Sequence, residues 1–264
     1  MARVLILSSW VAHGHVGAAA AGPALQALGH AVTVLPTTML SNHPGWPHVA
    51  GRAVPVAELS AMADALDSNG WLAGADALLT GYLPSPAHVA FAATLARRAR
   101  PGRLVVDPVL GDAPAGLYLP QAVAEAIRDT LLPAADLLTP NAFELGWLTG
   151  RPVTTPAEIA RAAGAVAGPA RILVTSVPGV AGQTGVLELP GPRLWRMPWR
   201  DGVPHGPGDV FAGLMAAGLD AAAALGHLQA LVEASLGADH LRIAERAADW
   251  TVAPPLAPVP QEPG

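Results

Sequence analysis

The most constraining feature of this chain is its alternation of short apolar strands, polar glycine-containing turns and helix-forming stretches. Near the start, residues 4–7 form a β-rich apolar run and residues 17–28 a small-residue helix ended by Gly29, and residues 31–35 form a second strand. In a β-α-β unit the two strands run parallel and the helix covers one face of the sheet. The opening therefore predicts a parallel sheet with helices packed against it.

The same alternation continues along the chain. Further strands are predicted at residues 77–79, 104–106, 137–138 and 172–175, with an antiparallel pair at 185–189 and 194–197. Helices are predicted at residues 89–100, 119–131, 156–167, 211–225 and 228–236. We expect one α/β domain over residues 1–252, with a mostly parallel central sheet between helices on both faces. A loose proline-rich tail is expected over residues 253–264.

Composition narrows the possible chemistry. The 264 residues are 52% hydrophobic and only 13% charged, which suits a soluble domain with a full core. The lack of cysteine excludes disulfides, thiolate metal sites and a cysteine nucleophile. All 15 basic residues are arginine, so no lysine can form a Schiff base or a P-loop phosphate clamp.

Charge and hydropathy suggest where the protein works. The net charge is −5 and the arginines are mostly scattered, which argues against a nucleic-acid surface. The first residues are too short a run for a secretion signal, and no stretch is long and apolar enough to predict a membrane span. We expect a cytoplasmic protein with no nucleic-acid or membrane partner.

The run His205-Gly206-Pro207-Gly208-Asp209 is the strongest local signal for chemistry. A glycine turn that opens a helix directs free N–H groups and the positive helix end at one point, which suits a phosphate. A carboxylate there would repel phosphate, but it could take a proton from a hydroxyl that attacks phosphate. The run predicts phosphoryl transfer with Asp209 as base and the Gly206 and Gly208 amides as donors. The alternative is an ordinary helix start in which Asp209 is only a favourable N-terminal carboxylate.

Polar residues follow several predicted strands. In open α/β sheets, ligands bind beyond the carboxyl ends of the strands. This edge is predicted to carry Ser8-Ser9, Gly81-Tyr82, Asp107, Asn141 and Thr175-Ser176.

These blocks, in this order, resemble the pyridoxal kinases of the ribokinase-like superfamily. The resemblance covers residues 4–219, nearly the whole domain. It is carried by Ser9 with residues 14–17, and by residues 41–43, 81–83, 107–111, 116–118, 139–141, 143–145, 148–150 and 206–209. It implies a ribokinase-like fold and ATP-dependent phosphorylation of the 5′-hydroxymethyl group of pyridoxal, pyridoxine or pyridoxamine.

The resemblance also implies a metal and a nucleotide site. Asp107 and Glu144 would hold Mg²⁺, partly through water. The alternative is that Asp107 caps a turn before Pro108, and that Glu144 forms a capping box with Asn141. The implied ATP contacts are Asp107, Thr139, Asn141, Glu144, Thr175, Ser176, Gly202, Val203, Pro204 and His205.

On the substrate side, the resemblance implies contacts between the pyridine ring and Ser9, His43 and Tyr82, with Pro44, Gly45 and Asp209 beside them. A lone histidine or tyrosine is more often structural. The resemblance further implies a homodimer and help from a monovalent cation such as K⁺.

Two departures from the family pattern leave alternatives open. Pro207 has no N–H, so the phosphate turn has one donor fewer than the family usually has. Pro44-Gly45 replaces a family segment that usually carries another substrate contact. A hydroxymethylpyrimidine kinase of thiamine synthesis is one alternative, because that branch resembles this chain across the same blocks, although it often has cysteine in place of Asp209. Another is a weakly active relative that carries pyridoxal or its phosphate.

Overall fold

The computed structural model describes residues 1–260, and its centre is a nine-stranded sheet. Six strands in a row, β2, β1, β4, β5, β8 and β9, run parallel, while β3, β10 and β11 are antiparallel to their neighbours. The sheet order is β11-β10-β9-β8-β5-β4-β1-β2-β3, and β6 and β7 form a separate small hairpin. The bounds are β1 Arg3–Val11, β2 Ala31–Leu40, β3 Gly51–Ala53, β4 Ala77–Thr80, β5 Leu104–Val106, β6 Gly111–Asp112, β7 Gly116–Leu117, β8 Leu137–Leu138, β9 Arg171–Val174, β10 Gln183–Leu189 and β11 Arg193–Pro198.

Helices cover both faces of the sheet, as the sequence predicts. Their bounds are α1 Ala18–Ala27, α2 Val56–Ser68, α3 Pro86–Ala99, α4 Gln121–Ala126, α5 Ala142–Thr149, α6 Pro156–Ala163, α7 Pro207–Ala216, α8 Ala221–Ser235 and α9 Ala247–Trp250. Side chains alternate between the faces along each strand. Leu5 and Leu7 of β1 therefore enter the core under α2 to α6, whereas Val4 and Ile6 enter the core under α1 and α7 to α9. No helix within residues 1–260 combines the length and apolar character that crossing a bilayer requires.

The predicted bounds of the last two long helices are wrong. A continuous helix is predicted over residues 211–225 and another over 228–236, whereas α7 ends at Ala216 and α8 begins at Ala221. Gly218 adopts a φ of 88°, and the Asp220 carboxylate accepts a hydrogen bond from the Ala223 N–H at 2.8 Å to cap α8. Glycine permits the left-handed turn and aspartate supplies the cap, so this pair ends one helix and begins the next.

The first strand is longer than predicted. It runs through Val11, so Ser8 and Ser9 lie within the strand and not beyond its end as expected. Ser8 pairs with Pro36 and Trp10 with Met39, so β2 carries one extra residue opposite Ser9. An extra residue in a strand redirects the side chains around it, and such irregularities are frequent beside functional sites.

The described part of the predicted tail is attached to the domain. Leu256 donates its N–H to the Ala222 carbonyl at 2.9 Å and accepts the Trp195 Nε1–H at 3.0 Å. At Gly226 of α8, a Cβ would collide with the Pro254 carbonyl oxygen. Residues 253–260 thus lie against α8 and β11, and the remaining residues of the tail lie outside the described part of the chain.

Candidate active site

Turns that follow three neighbouring strands meet at the carboxyl edge of the sheet. Asp107 follows β5, Thr139 follows β8 and Thr175 follows β9. The Thr139 hydroxyl donates to Asp107 Oδ1 at 3.3 Å, and Asn141 forms a parallel bridge with Thr175. The structure thus brings together four of the residues predicted for the nucleotide.

Glu144 lies at the start of α5 and is almost fully buried, with 4% of its surface exposed. Its Oε2 accepts the Asn141 N–H at 2.8 Å, and the Asn141 side chain accepts the Glu144 N–H at 2.9 Å. The predicted capping box is therefore confirmed. The second oxygen, Oε1, accepts the Leu110 N–H at 2.8 Å, which ties the loop after β5 to α5.

Burial makes both carboxylates costly to ionise. It raises the pKa of Asp107 well above its usual range, and the nearby Glu144 and Asp209 carboxylates raise it further. Burial also raises the pKa of Glu144 to about 7, although backbone amides of Asn141, Leu110 and Gly111 oppose this. The ion pairs formed within residues 1–260 include neither carboxylate. Two adjacent oxygen-donor groups without a cationic side chain suit a hard divalent cation.

The glycine turn before α7 has the conformation that the sequence predicts. Gly206 caps the helix with a φ of 109°, and a Cβ there would collide with the His15 carbonyl oxygen. Pro207 occupies the first helical position, where its fixed φ is well tolerated. Space is open beside Gly208 among the described residues, where an added Cβ would contact nothing within 4 Å. An anion can therefore approach the helix end at Gly208.

Asp209 lies in the first turn of α7 and points toward the start of α1. Its carboxylate accepts the N–H of Gly17 and its own backbone N–H. Burial raises the pKa of Asp209 to about 6, although these two hydrogen bonds oppose the rise. A carboxylate with a pKa near the working pH is suited to accept a proton.

Gly17 brings the first strand to Asp209. It adopts a φ of 58° as the N-cap of α1, and a Cβ would collide with the Ser9 hydroxyl and carbonyl oxygens. Ser9, predicted to contact the substrate, therefore lies against the residue whose amide holds Asp209. This positioning role of Gly17 is not predicted from the sequence. The only sequence signal for it is a glycine at the start of a predicted helix.

The Tyr82 turn is attached to the same strand. The Ser8 hydroxyl accepts the Tyr82 N–H at 3.1 Å, and the Thr37 hydroxyl donates to the Tyr82 carbonyl at 2.6 Å. The Tyr82 ring is half-buried, and burial raises the pKa of its hydroxyl. These bonds place Tyr82 on the Ser9 side of the site, as predicted.

His43 and His205 stack on each other, with ring centroids 3.7 Å apart and 23° between the ring planes. The Gly45 N–H donates to His43 Nδ1 at 3.0 Å, and Pro44 beside it is exposed. Burial lowers the pKa of His43, and the neighbouring His205 lowers it further. His43 was predicted to contact the substrate and His205 the nucleotide, so the two predicted subsites meet at this stack.

The other predicted nucleotide residues lie in two turns. The Gly202 carbonyl accepts the Gly237 N–H at 3.0 Å. The next two residues are Val203, which is half-buried, and Pro204, which is buried. Ser176, after β9, adopts a left-handed φ of 56°. Val109, after β5, adopts a φ of 45°, which is unusual for a β-branched residue. Such strain clusters at functional sites, and the left-handed conformation of Val109 is not predicted from the sequence, although the residue lies in the 107–111 block.

Comparisons with known proteins agree with this geometry. Residues 28–236 match the family model described as phosphomethylpyrimidine kinase. The chain is 36% identical over 249 residues to a pyridoxine/pyridoxal/pyridoxamine kinase of Bordetella avium, covering 88% of this chain and 81% of the relative. It is 34% identical over 223 residues to pyridoxal kinase PdxY of Corynebacterium diphtheriae, covering 80% and 79%. The pyridoxal kinase of Leishmania donovani in complex with ADP and pyridoxamine is similar in structure, with a TM-score of 0.85, 28% identity and coverage of 98% and 100%.

Proposed function

Because this chain belongs to the pyridoxal kinase family, we propose that its site transfers the γ-phosphoryl group of ATP to the hydroxymethyl oxygen of a B6 vitamer. The supporting observation is the Asp209 carboxylate, which lies at the start of α7 beside the Gly206 turn and near Asp107 and Glu144. A base, an anion-binding helix end and a pair of acidic side chains are the parts that phosphoryl transfer requires.

The chemical step follows from these positions. Asp209 accepts the proton of the vitamer hydroxyl, the hydroxyl oxygen forms a bond to the γ-phosphorus, and the bond from that phosphorus to the β,γ-bridging oxygen breaks to release ADP. The backbone amides at Gly206 and Gly208 would face the transferring group at the helix end, where negative charge is favoured. Pro207 removes only an amide of the first helical position.

The carboxylate pair suits Mg²⁺. Asp107 and Glu144 would hold the ion, which when bound neutralises charge on the nucleotide phosphates. Burial raises the pKa of both groups, and the Glu144 carboxylate raises that of Asp107 further, so a bound cation would favour their ionised forms. Glu144 has both oxygens in backbone hydrogen bonds, so its orientation is set in advance.

We assign the two substrates to opposite sides of Asp209. The vitamer ring would lie toward Ser9, Tyr82 and His43, with Gly45 and Pro44 at the rim. The nucleotide would lie along the turns that carry Thr139, Asn141, Thr175, Ser176 and residues 202–205. A monovalent cation such as K⁺, a homodimer and a cytoplasmic location remain expectations from the family resemblance.

A direct turnover assay tests this function. We expect the purified chain with Mg-ATP to release ADP and form a 5′-phosphorylated product with pyridoxal, pyridoxine or pyridoxamine, and to be much slower with hydroxymethylpyrimidine. The matching family model is described as phosphomethylpyrimidine kinase, which makes hydroxymethylpyrimidine the necessary competitor. Faster turnover of hydroxymethylpyrimidine would reassign the substrate, and binding of pyridoxal without ADP release would favour a carrier.

The pKa of Asp209 predicts an acidic limb in the pH profile. A base works only when it is deprotonated, and the pKa of Asp209 is raised to about 6. The kcat/KM for the vitamer at saturating Mg-ATP should therefore fall about tenfold per pH unit below that value. The residual activity of Asp209→Asn should lack this limb. A limb of the same shape in that variant would assign the titration to another group.

A further inference from the structure

A second group of titratable side chains adjoins the site described above and shares His43 and His205 with it. It surrounds a small cavity beside the first loop, and histidines dominate its walls. The cavity is lined by His13, His15, His43, His205, Asp239 and His240. Five of the nine histidines of the chain therefore gather at one place, although the sequence distributes them over more than 220 positions.

Three of these side chains are arranged as ligands of one ion. His13 Nε2 lies 3.2 Å from Asp239 Oδ2, and Asp239 Oδ1 lies 2.6 Å from His240 Nδ1. One ligand atom from each residue can be chosen so that all lie within 4.8 Å of one another. A tetrahedral ion with bonds of about 2.0 Å separates its ligand atoms by about 3.3 Å. Small side-chain rotations would therefore close the site around an ion.

The second nitrogen of His240 is already oriented. His240 Nε2 lies 2.8 Å from Glu245 Oε1. Metal-binding histidines usually donate their other ring N–H to a carboxylate, which fixes the ring. Nδ1 also faces a carboxylate oxygen, so both ring nitrogens carry protons without an ion, and the Nδ1 proton leaves when an ion binds. Glu245 thus positions His240 so that Nδ1 lies toward Asp239 and His13.

A third imidazole adjoins these three side chains. The ring of His15 lies with its centroid 5.5 Å from that of His240. Its Nδ1 lies 2.8 Å from the Ala19 carbonyl oxygen, an acceptor, so Nδ1 carries the proton and Nε2 has the free lone pair. The cluster therefore offers three nitrogens and a carboxylate, the donors preferred by zinc and its neighbours and not by magnesium.

We propose that His13, Asp239 and His240, with His15 adjoining, form a binding site for a divalent transition ion of the zinc class. The site is separate from the Asp107 and Glu144 pair. Its ligands come from the loop after β1 and the segment after α8. Both segments touch the catalytic turn, since a Cβ on Gly206 would collide with the His15 carbonyl and lie 3.2 Å from Leu241 Cδ1. A bound ion joins these segments across the mouth of the site.

Metal titration of the full chain tests the site. The protein is stripped with EDTA and kept in excess Mg²⁺, so that the carboxylate pair is occupied, and is then titrated with Zn²⁺ by calorimetry and with Co²⁺ by visible absorption. We expect one tight ion per chain and a Co²⁺ spectrum of low coordination number. His240→Asn and His13→Asn should each weaken Zn²⁺ binding at least about tenfold, and Glu245→Gln about 10- to 100-fold.

The controls distinguish Zn²⁺ binding at this site from Zn²⁺ binding elsewhere on the chain and from misfolding of a variant. His48 is exposed and lies outside the cluster, so His48→Asn should leave Zn²⁺ affinity unchanged. His13 is 61% exposed, so His13→Asn keeps the test valid if His240→Asn fails to fold. Wild-type affinity in both histidine variants would overturn the proposal. So would Zn²⁺ binding that is lost in Glu144→Gln but kept in His13→Asn.

Discussion

Asp209→Asn should lower kcat by about 10²- to 10⁴-fold, the usual contribution of a positioned general base. The amide has nearly the same shape and can still accept the Gly17 N–H, so the start of α7 should keep its conformation. Removing a buried carboxylate whose pKa is raised also removes an electrostatic cost, so we expect no loss of stability. Single-turnover kinetics measure the chemical step, and calorimetric titration with ADP measures nucleotide binding.

Comparing the single-turnover rate with the ADP affinity distinguishes loss of the base from loss of nucleotide binding. Nucleotide affinity should change less than the rate, because the proposed role of Asp209 is on the hydroxyl and not on the nucleotide. Asp129→Asn is a matched control, since Asp129 is exposed and pairs only with Arg128 among its described contacts. Its rate should equal that of the wild type. A wild-type rate in Asp209→Asn would remove Asp209 as the base.

Replacing Glu144 should affect both the fold and the metal requirement. Glu144→Ala leaves the buried N–H groups of Leu110 and Asn141 without their acceptor, which should lower the free energy of unfolding by about 2–3 kcal/mol. Glu144→Gln keeps one acceptor oxygen and should cost less. Chemical denaturation of both variants measures the difference.

The metal requirement separates the two roles of this residue. If Glu144 holds Mg²⁺, Glu144→Gln should need at least about tenfold more Mg²⁺ for half-maximal turnover, although its stability changes little. Glu158→Gln is a control, because Glu158 also bonds to groups at a helix start but is only half-buried and belongs to α6. An unchanged Mg²⁺ requirement in Glu144→Gln would leave Glu144 with the capping role alone.

Much of the framework could be predicted from the sequence because local patterns set it. The strands at residues 104–106 and 137–138 have the predicted bounds, since each is a short buried run ended by a polar turn. The capping box was visible as Asn141 followed three residues later by Glu144. The predicted order of strands and helices therefore led to the correct fold class and to the correct sheet edge.

Elements with sparse apolar residues were missed. In α2, Val56–Ser68, only Leu59 and Ala63 are buried, so two positions carry the apolar face and the periodicity is weak. The alanine-rich stretch around Gly218 has the opposite problem, because its uniform composition hides the break between α7 and α8. The apolar pattern of the sequence does not predict the ends of a helix where too few residues are buried, as in α2, or where the composition is uniform, as around Gly218.

Contacts between distant segments could not be read from one sequence. The His43–His205 stack joins positions separated by most of the domain, and so does the bond from the Gly17 amide to Asp209. These pairings depend on how the loops close over the sheet edge. The polar residues of the site could be predicted individually, but their partners could not.

The main-chain amides that orient Asp209 and Glu144 affect how much sequence change the site can tolerate. Both carboxylates are held by main-chain amides, those of Gly17, Leu110 and Asn141 among them. A main-chain amide is kept by every substitution except proline. The side chain at position 110 can therefore drift as long as it stays apolar, and the acidic groups keep their orientation. A site supported in this way should tolerate extensive sequence change around the acidic residues to which we assign its chemistry.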